Sequence, residues 1–392
     1  MRSITLRPEA YKRFTTGHPW VYSNEIVMDG AAKAIEPGSL VRLLRADGSP
    51  LAIAFFNPHT LIAARRLSDD LGAAIDADFF AARLKSAVAL RDRLVGPPYY
   101  RLIHAEADGM SGLVMDRFGD LVVVQINTAG MEMLWPEIEK ALEGVLAPKQ
   151  ILLRCDSSAR TQEGLPSYVK MAKGELDGPV TVEEGAVRYL ADAREGQKTG
   201  WFYDQRDNRA AVARLTEGGR VLDLYSYIGG FALAAAAAGA CAVVGIDSSE
   251  PALTLARQSA ELNEFAAGCT FRRADVFEEL ERLKSAGERF ETVIADPPAF
   301  VKSKKDLNQG ARAYRKLARL SANLVKPGGF LFIASCSHNM PVDEFQRQVN
   351  RGLVDASRQG RILRAAGAAP DHPVHPALPE SAYLKSLLLQ LD

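Results

Sequence analysis

The chain has 392 residues, in which 48 lysines and arginines balance 48 aspartates and glutamates. That length exceeds what one hydrophobic core usually organises, so two or three domains are expected, and the neutral balance indicates no polyanionic partner by itself. The longest apolar stretch, FALAAAAAGACAVVGI, contains glycines and is shorter than the roughly 20 residues of a membrane-spanning helix. The polar N-terminal residues are unlike a signal peptide.

The four cysteines, Cys155, Cys241, Cys269 and Cys336, are widely separated and form neither a C-x-x-C pair nor a metal-ligand spacing. This usage is typical of reduced thiols in a cytoplasmic protein. It predicts no disulfide framework and no metal site. We expect no membrane contact, and the oligomeric state, including homodimer formation, stays open.

Residues 1–68 have the pattern of short strands. The run SLVRLLRADGSPLAIAFFN places two alternating segments around an Asp-Gly turn, which predicts a hairpin. Basic residues outnumber acidic ones by nine to five over residues 1–66. Trp20 with Lys12 and Arg13 fits a surface that stacks bases beside positive charge, although Trp20 is also a candidate core residue.

Residues 69–190 mix helices and strands. An amphipathic helix, DADFFAARLKSAVALRDRL, is followed by strands that Asp-Gly and Phe-Gly-Asp separate, and by a second helix at LWPEIEKALEGVL. The run VTVEEGAVRYLADA is a predicted hairpin that closes this segment.

Strict strand–helix alternation follows, which predicts a parallel sheet with helices on both faces. The predicted strands are RVLDLYS, AVVGIDS, TFRRADV, ETVIADPP and GFLFIASCS. The first four end in an acid, namely Asp223, Asp247, Asp275 and Asp296. Each could be a helix N-cap alone, but four in succession indicate a ligand site, because ligands bind at the carboxyl ends of such strands.

This pattern resembles the class I S-adenosylmethionine (SAM) methyltransferases. The resemblance implies that the Asp223 loop holds the methionyl part of SAM, Asp247 the ribose and Asp275 the adenine amino group. The run QKTGWFYDQRDNR supplies a cation and aromatic rings for the same cofactor. The predicted cofactor-binding residues are Lys198, Phe202, Asp204, Gln205, Arg206, Asp223, Tyr225, Ser226, Gly229, Asp247, Ser248, Asp275, Val276, Asp296 and Pro297.

The last of the five strands ends in Ser335-Cys336-Ser337-His338, and a core strand needs no thiol there. Cytosine C5 is a poor nucleophile unless a thiolate first adds to C6, which is covalent catalysis. Cys336 would stand at the ligand edge beside the strand of Asp296, whose acid can bind the base at N3. We therefore predict Cys336 as the nucleophile and Asp296 as the base-recognising acid, with a packed core thiol as the alternative.

The motifs GLVMDRFGDLVVVQ, QKTGWFYDQRDNR, DPPAF and SCSHNM, behind GHPWVYSNEI, closely resemble the large-subunit ribosomal RNA methyltransferase I family over essentially the whole chain. The resemblance implies cytosine-5 methylation of large-subunit ribosomal RNA. It also implies the fold class: an all-β PUA domain (residues 1–68), a small α+β domain (69–190) and a Rossmann-like α/β methyltransferase domain with a mostly parallel seven-stranded sheet (191–392).

One departure concerns proton removal from C5. Many RNA cytosine-5 methyltransferases have a second cysteine after the Asp-Pro-Pro-like motif, whereas Ala299 and Phe300 follow it in this chain. His338 is a candidate base because histidine titrates near neutrality, and an ordinary exposed histidine is the alternative.

The stretch 302–319 has seven basic residues against Asp306, which indicates phosphate contact or simply a solvated face. Lys302, Lys304 and Lys305 are its predicted RNA contacts, and Phe300 is expected to stack on or wall the target base.

Two other functions stay open. A methyltransferase acting on a base nitrogen would use Asp-Pro-Pro and need no thiol. A non-catalytic RNA-binding or ribosome assembly factor could keep the cofactor-shaped fold.

Overall fold

The computed structural model describes residues 1–8 and 11–392, and the chain divides into two compact units. The first unit comprises Met1–Gly178, Ala193–Thr199 and Pro370–Pro379, and the second comprises Pro179–Asp192, Gly200–Ala369 and Glu380–Asp392. Among the described helices, none combines the length and the apolar character needed to cross a membrane.

The first unit contains two sheets. Its strands are β1 (Arg2–Thr5), β2 (Trp20–Tyr22), β3 (Ser39–Leu44), β4 (Pro50–Phe56), β5 (Ile62–Ser68), β6 (Tyr99–His104), β7 (Leu113–Phe118), β8 (Leu121–Ile126), β9 (Gln150–Cys155) and β10 (Tyr168–Lys173). Its helices are α1 (Tyr11–Thr15), α2 (Gly30–Lys33), α3 (Ala77–Leu94), α4 (Ala129–Met133), α5 (Trp135–Leu146) and α6 (Ser158–Gln162). One sheet has the order β1-β3-β4-β5-β2, the other β10-β9-β8-β7-β6.

The first unit follows the predicted local patterns. Strands β3 and β4 pair antiparallel around the Asp-Gly turn, so the predicted hairpin is confirmed. Helix α3 begins where the Asp76 side chain accepts a hydrogen bond from the Phe79 amide, and it buries Phe80 and Leu84. Such a cap satisfies an amide that has no partner within the helix.

The second unit is built on one large sheet. Its strands are β11 (Val180–Glu184), β12 (Val187–Ala191), β13 (Arg220–Leu224), β14 (Ala242–Asp247), β15 (Cys269–Arg273), β16 (Phe290–Ala295), β17 (Val325–Ser335), β18 (Gly360–Ala366) and β19 (Lys385–Leu391). Its helices are α7 (Arg206–Ala213), α8 (Gly230–Ala237), α9 (Glu250–Leu262), α10 (Val276–Ser285), α11 (Leu307–Leu324) and α12 (Val342–Asp355).

The large sheet has the order β15-β14-β13-β16-β17-β19-β18, so its described part has seven strands. Strands β13 to β17 are parallel neighbours, while β19 runs antiparallel between β17 and β18. The predicted mostly parallel sheet is confirmed. The carboxyl ends of its parallel strands meet at one edge, and the site is built there.

The hairpin β11–β12 is confirmed, but it groups with the second unit and does not close the middle segment as expected. The Leu190 amide donates to Ser259 Oγ at 2.9 Å and the Arg188 amide to Asn263 Oδ1 at 2.9 Å. Both acceptors belong to α9 or its end, so this helix attaches the hairpin to the unit of the large sheet.

Candidate active site

The buried side chain of Asp223 holds the loop after β13 in place through hydrogen bonds. This carboxylate is 1% exposed, and its Oδ2 accepts hydrogen bonds from Ser226 Oγ at 2.7 Å and from the Ala232 amide at 3.0 Å. Burial raises the pKa of Asp223 to about 7, and the two hydrogen bonds oppose that rise. The structure therefore places Asp223 under the loop, where it joins the strand end to the first turn of α8.

The same loop has strained backbone. Tyr225 and Tyr227 have φ values of 61° and 52°, and Gly229, the N-cap of α8, has φ 81°. A side-chain-bearing residue in this region costs about 1–3 kcal/mol, and such strain concentrates at ligand sites. The Tyr227 amide donates to Asp247 Oδ2 at 2.9 Å, which holds the strained conformation in place.

Asp247 lies at the end of β14 and is half-buried. Its Oδ1 accepts from the Ser249 amide at 2.8 Å, so both carboxylate oxygens are oriented by backbone amides. Gly245, two residues earlier, has no space for a side chain, since a Cβ would lie 2.6 Å from the Phe271 ring and 2.8 Å from Ser226 Oγ. Exposed Ser248 follows Asp247 and accepts from Arg273 through its carbonyl oxygen at 3.2 Å.

Asp275 is the N-cap of α10. Its Oδ1 accepts from the amides of Phe277 at 2.9 Å and Glu278 at 3.1 Å, while Val276 is buried. The N-cap alternative of the sequence analysis therefore describes Asp275 in the structure. The side chain is nevertheless exposed at the strand edge.

An aromatic cluster lies beside this helix start. The Phe300 ring packs 4.8 Å from Tyr314, 6.3 Å from Phe277 and 6.4 Å from Tyr225, measured between ring centroids. The Lys316 ammonium lies 4.7 Å above the Phe277 ring. These flat apolar surfaces give the strand edge a wall on which a purine or pyrimidine can stack.

The run 200–209 packs against the Gly229 loop. The Phe202 ring contacts Tyr227 edge-on at 5.3 Å, and Tyr227 Oη donates to the Gly200 carbonyl at 3.3 Å. Arg209 forms a bidentate ion pair with Glu184 at 2.6 and 2.7 Å and lies 4.4 Å from the centre of Trp201. Sequence reasoning missed Glu184, because it lies on β11, far from this run in the chain.

Other predicted cofactor residues of this run are fixed by neighbours. Asp204 is buried and accepts a hydrogen bond from Tyr383 Oη. Gln205 is buried and accepts from Asn208 Nδ2 at 2.7 Å. Arg206 lies 3.6 Å from Glu184. Lys198, with φ 53°, belongs to the first unit, and its predicted cofactor role stays a prediction.

Cys336 follows β17 directly, and Asp296-Pro297 follows β16. The two strands are parallel neighbours, with Ala295 paired to Ile333, so the predicted adjacency is confirmed. The Cys336 thiol is half-buried and lies 3.9 Å from the Pro297 carbonyl oxygen, to which it donates. The structure thus brings the thiol to the residue that follows Asp296.

The serines on each side of Cys336 have structural partners. Ser335 Oγ donates to Tyr314 Oη at 2.8 Å, and Tyr314 Oη lies 2.9 Å from Ser337 Oγ. Ser337 Oγ also accepts from the Val301 amide at 3.1 Å, which joins this turn to the segment after Asp-Pro-Pro. These bonds fix the turn around the thiol, with Tyr314 as a residue that sequence reasoning missed.

Lys385 also holds this turn. It begins β19 opposite Ser335 and is 6% exposed, and its Nζ donates to the carbonyls of Ser337 at 2.6 Å and Met340 at 2.7 Å. Burial lowers the pKa of Lys385, and the negative charge of a Cys336 thiolate acts in the opposite direction. His338 on the same turn is exposed, 5.2 Å from the Tyr383 ring.

The basic side chains of residues 302–319 differ in whether they form ion pairs with acidic residues. Lys302, Lys304 and Lys305 are exposed, whereas Arg315 in the same basic stretch forms an ion pair with Asp355 at 2.5 Å. Arg319 lies 3.9 Å from Glu281.

In the first unit, Lys12 is exposed, while Arg13 forms an ion pair with Glu25 at 2.6 Å. Trp20 Nε1 donates to Glu106 at 2.9 Å. Within the described residues, no group of three or more His, Cys, Asp or Glu is arranged to hold a metal ion.

The residues of the sheet edge fit SAM. Asp247 offers an oriented carboxylate to a ribose, the Gly229 loop brings backbone close to a ligand, and the Phe277–Phe300 wall suits an adenine ring. Acids at successive strand ends also suit a cofactor that carries positive charge.

The family model for S-adenosylmethionine-dependent methyltransferases matches residues 167–390, and a PUA-like domain model matches residues 4–69. A protein from Streptococcus mutans described as a SAM-dependent methyltransferase has 21% identity and a TM-score of 0.82, with 100% of both chains covered. A methyltransferase structure solved with S-adenosylhomocysteine has 21% identity and a TM-score of 0.84 over the same coverage. The fold and the matching family model are those of a SAM-dependent methyltransferase.

Curated relatives define the family more narrowly. A protein of Aeromonas hydrophila named ribosomal RNA large subunit methyltransferase I is 39% identical, and 99% of each chain is covered. A protein of the same name from Erwinia tasmaniensis is 38% identical, and 94% of each chain is covered. The chain belongs to the ribosomal RNA large subunit methyltransferase I family, which confirms the resemblance drawn from the motifs.

Proposed function

We propose that this enzyme forms 5-methylcytosine in large-subunit ribosomal RNA, through a covalent bond between Cys336 and C6 of the target base. The observation that carries the proposal is the position of the thiol. It lies at the carboxyl edge of the sheet, half-buried, beside the residue that follows Asp296. The names of the relatives support ribosomal RNA as the substrate. A ribosomal RNA substrate in turn supports a cytoplasmic location, which is part of the proposal.

In this mechanism the Cys336 thiolate adds to C6 and makes C5 nucleophilic. The Asp296 carboxyl group binds the base at N3, where the ring gains electron density as the thiolate adds. SAM supplies the methyl group that C5 takes up. The C5 proton then leaves, with exposed His338 as the candidate acceptor, and the bond between sulfur and C6 breaks to release the product.

The cofactor residues have separate roles in the proposal. Asp247 and Ser248 bind the ribose, and Asp275 and Val276 form the adenine pocket. Asp223 acts through the loop that it holds, because its carboxylate is buried beneath Ser226. Phe202, Tyr225, Gly229 and Pro297 shape the space around the methionyl group.

In the proposal, the residues that bind RNA are separate from those that catalyse methyl transfer. Lys302, Lys304 and Lys305 are exposed and fit phosphate contact in the second unit. Lys12, Arg13 and Trp20 have the corresponding proposed role in the PUA-like domain, with Arg13 and Trp20 oriented by Glu25 and Glu106.

The decisive experiment compares Cys336→Ala with Cys241→Ala, which removes an exposed thiol beside β14. Methyl transfer to ribosomal RNA should be lost only in Cys336→Ala, while SAM binding should stay nearly unchanged in both. RNA with 5-fluorocytosine at the target position should form a gel-stable adduct with the parent enzyme, since fluorine cannot leave as the proton does. Full methylation by Cys336→Ala would overturn the proposal and leave methylation of a base nitrogen as the explanation.

A further inference from the structure

The inference concerns how the enzyme obtains a reactive thiolate at Cys336. A free cysteine has a pKa of about 8.5, so a small fraction is ionised at neutral pH unless a cation stabilises the thiolate. The hydrogen bond to Pro297 does not supply this stabilisation, because the Pro297 carbonyl oxygen accepts from the thiol and therefore favours its protonated form.

A buried ammonium group lies on the other side of the same turn. Lys385 Nζ donates to the carbonyls of Ser337 and Met340, the residue after Cys336 and the fourth after it. A lysine is rarely this buried without a specific reason, because burial disfavours the charged form. The two carbonyls satisfy two of its three N–H donors and keep the ammonium within the turn.

Other titratable groups near the turn are Asp296, Tyr314, His338 and Tyr383, whose ring lies 5.2 Å from His338 and whose hydroxyl donates to Asp204. Asp296 adds negative charge when it is ionised, and the Tyr314 hydroxyl stays neutral because burial raises its pKa. His338 is exposed, so solvent screens its charge. Lys385 is buried at this turn, and its positive charge opposes the effect of Asp296 and of the Pro297 carbonyl.

We propose that Lys385 is the positioning residue that stabilises the Cys336 thiolate and fixes the turn from which it attacks. The proposal rests on the role of Cys336 as the nucleophile. It assigns Lys385 an electrostatic function beyond packing, because a neutral side chain of the same length would fill the space without supporting a negative charge on sulfur.

The test measures thiol reactivity and needs no RNA. Iodoacetamide alkylation of Cys336 is followed against pH by peptide mass spectrometry, with exposed Cys241 of the same molecule as the internal reference. Lys385→Met should raise the apparent pKa of Cys336 alkylation by about one unit, which is about a tenfold slower reaction at pH 7. Lys385→Arg should keep most of the parent profile, and alkylation of Cys241 should not change.

SAM binding by each variant reports whether the second unit is intact. An unchanged Cys336 profile in a Lys385→Met protein that binds SAM would overturn the proposal. If that variant does not fold, the parent enzyme still gives an answer: its Cys336 must ionise at lower pH than Cys241, and equal or higher values would refute the assignment.

The outcomes separate this proposal from the proposed function. Methylation by Cys336→Ala would refute covalent catalysis whatever the alkylation profile. If Cys336→Ala is inactive and Lys385→Met raises the apparent pKa of Cys336 alkylation, the results support both the proposed function and the role of Lys385. If Cys336→Ala loses methyl transfer but Lys385→Met leaves the pH profile of Cys336 alkylation unchanged, only the proposed role of Lys385 is refuted.

Discussion

Replacing Asp223 by asparagine should change how the stability of the enzyme depends on pH. Both hydrogen bonds to Asp223 reach the same oxygen, Oδ2, so the single carbonyl oxygen of an asparagine can accept both. The substitution therefore removes the titration while it preserves the link between the loop and α8.

The magnitude follows from the pKa of Asp223, which burial raises from 3.8 to about 7. As the pH rises, the unfolded chain loses this proton at lower pH than the folded protein does. The protonated Asp223 therefore contributes its full stabilisation below pH 3.8, and this contribution is lost as the pH rises through 7. The full difference is about 4 kcal/mol, of which about 2 kcal/mol falls between pH 5 and pH 7 and nearly 3 kcal/mol between pH 5 and pH 8.

Urea unfolding of the parent and Asp223→Asn at pH 5, 6, 7 and 8 measures this difference. Relative to the parent, the variant should gain about 3 kcal/mol in free energy of unfolding between pH 5 and pH 8, because it has no carboxylate to ionise. The contributions of the other titratable groups are the same in both proteins and therefore cancel in the difference. A difference that does not depend on pH would show that Asp223 is already ionised under the loop at pH 5.

Three further predictions concern the cofactor, the RNA and the turn. Asp247→Ala should weaken SAM binding by about 1–3 kcal/mol in calorimetry, because the ribose hydroxyls lose their acceptor; equal affinity would exclude the ribose role. Lys304→Ala with Lys305→Ala should reduce the salt slope of RNA binding by about 1–2. Arg315→Ala is the matched control with an unchanged slope, because Asp355 already neutralises that arginine. Tyr314→Phe should lower the free energy of unfolding by about 1–3 kcal/mol and reduce methyl transfer but not SAM affinity; unchanged thermal stability would contradict the role of its hydroxyl.

Most of the sheet could be predicted from local pattern. Strand–helix alternation depends on periodicity within each segment, and consecutive strands of such an alternation are usually neighbours in a parallel sheet. For this reason the adjacency of Asp296 and Cys336 was predicted correctly, since β16 and β17 are parallel neighbours.

The roles of individual side chains needed three-dimensional information. Nothing in the sequence distinguishes Asp223, buried under its loop, from Asp275, exposed at a helix start. The serines beside Cys336 suggested a polar reactive site, yet they bond to Tyr314, which is 21 residues from Ser335. Lys385 was missed because an antiparallel strand, β19, brings it opposite Ser335.

The position of β19 has a consequence for folding. Its pairing with β17 closes a loop that contains α12 and β18, and contacts of such long sequence separation form slowly because loop closure costs entropy first. A chain in which β13 to β17 have already paired, but β19 has not, would hold Cys336 without the neighbouring ammonium. If Lys385 stabilises the thiolate as proposed, the thiol would reach its full reactivity only with the completed sheet, and it would be less exposed to oxidation and alkylation while the protein folds.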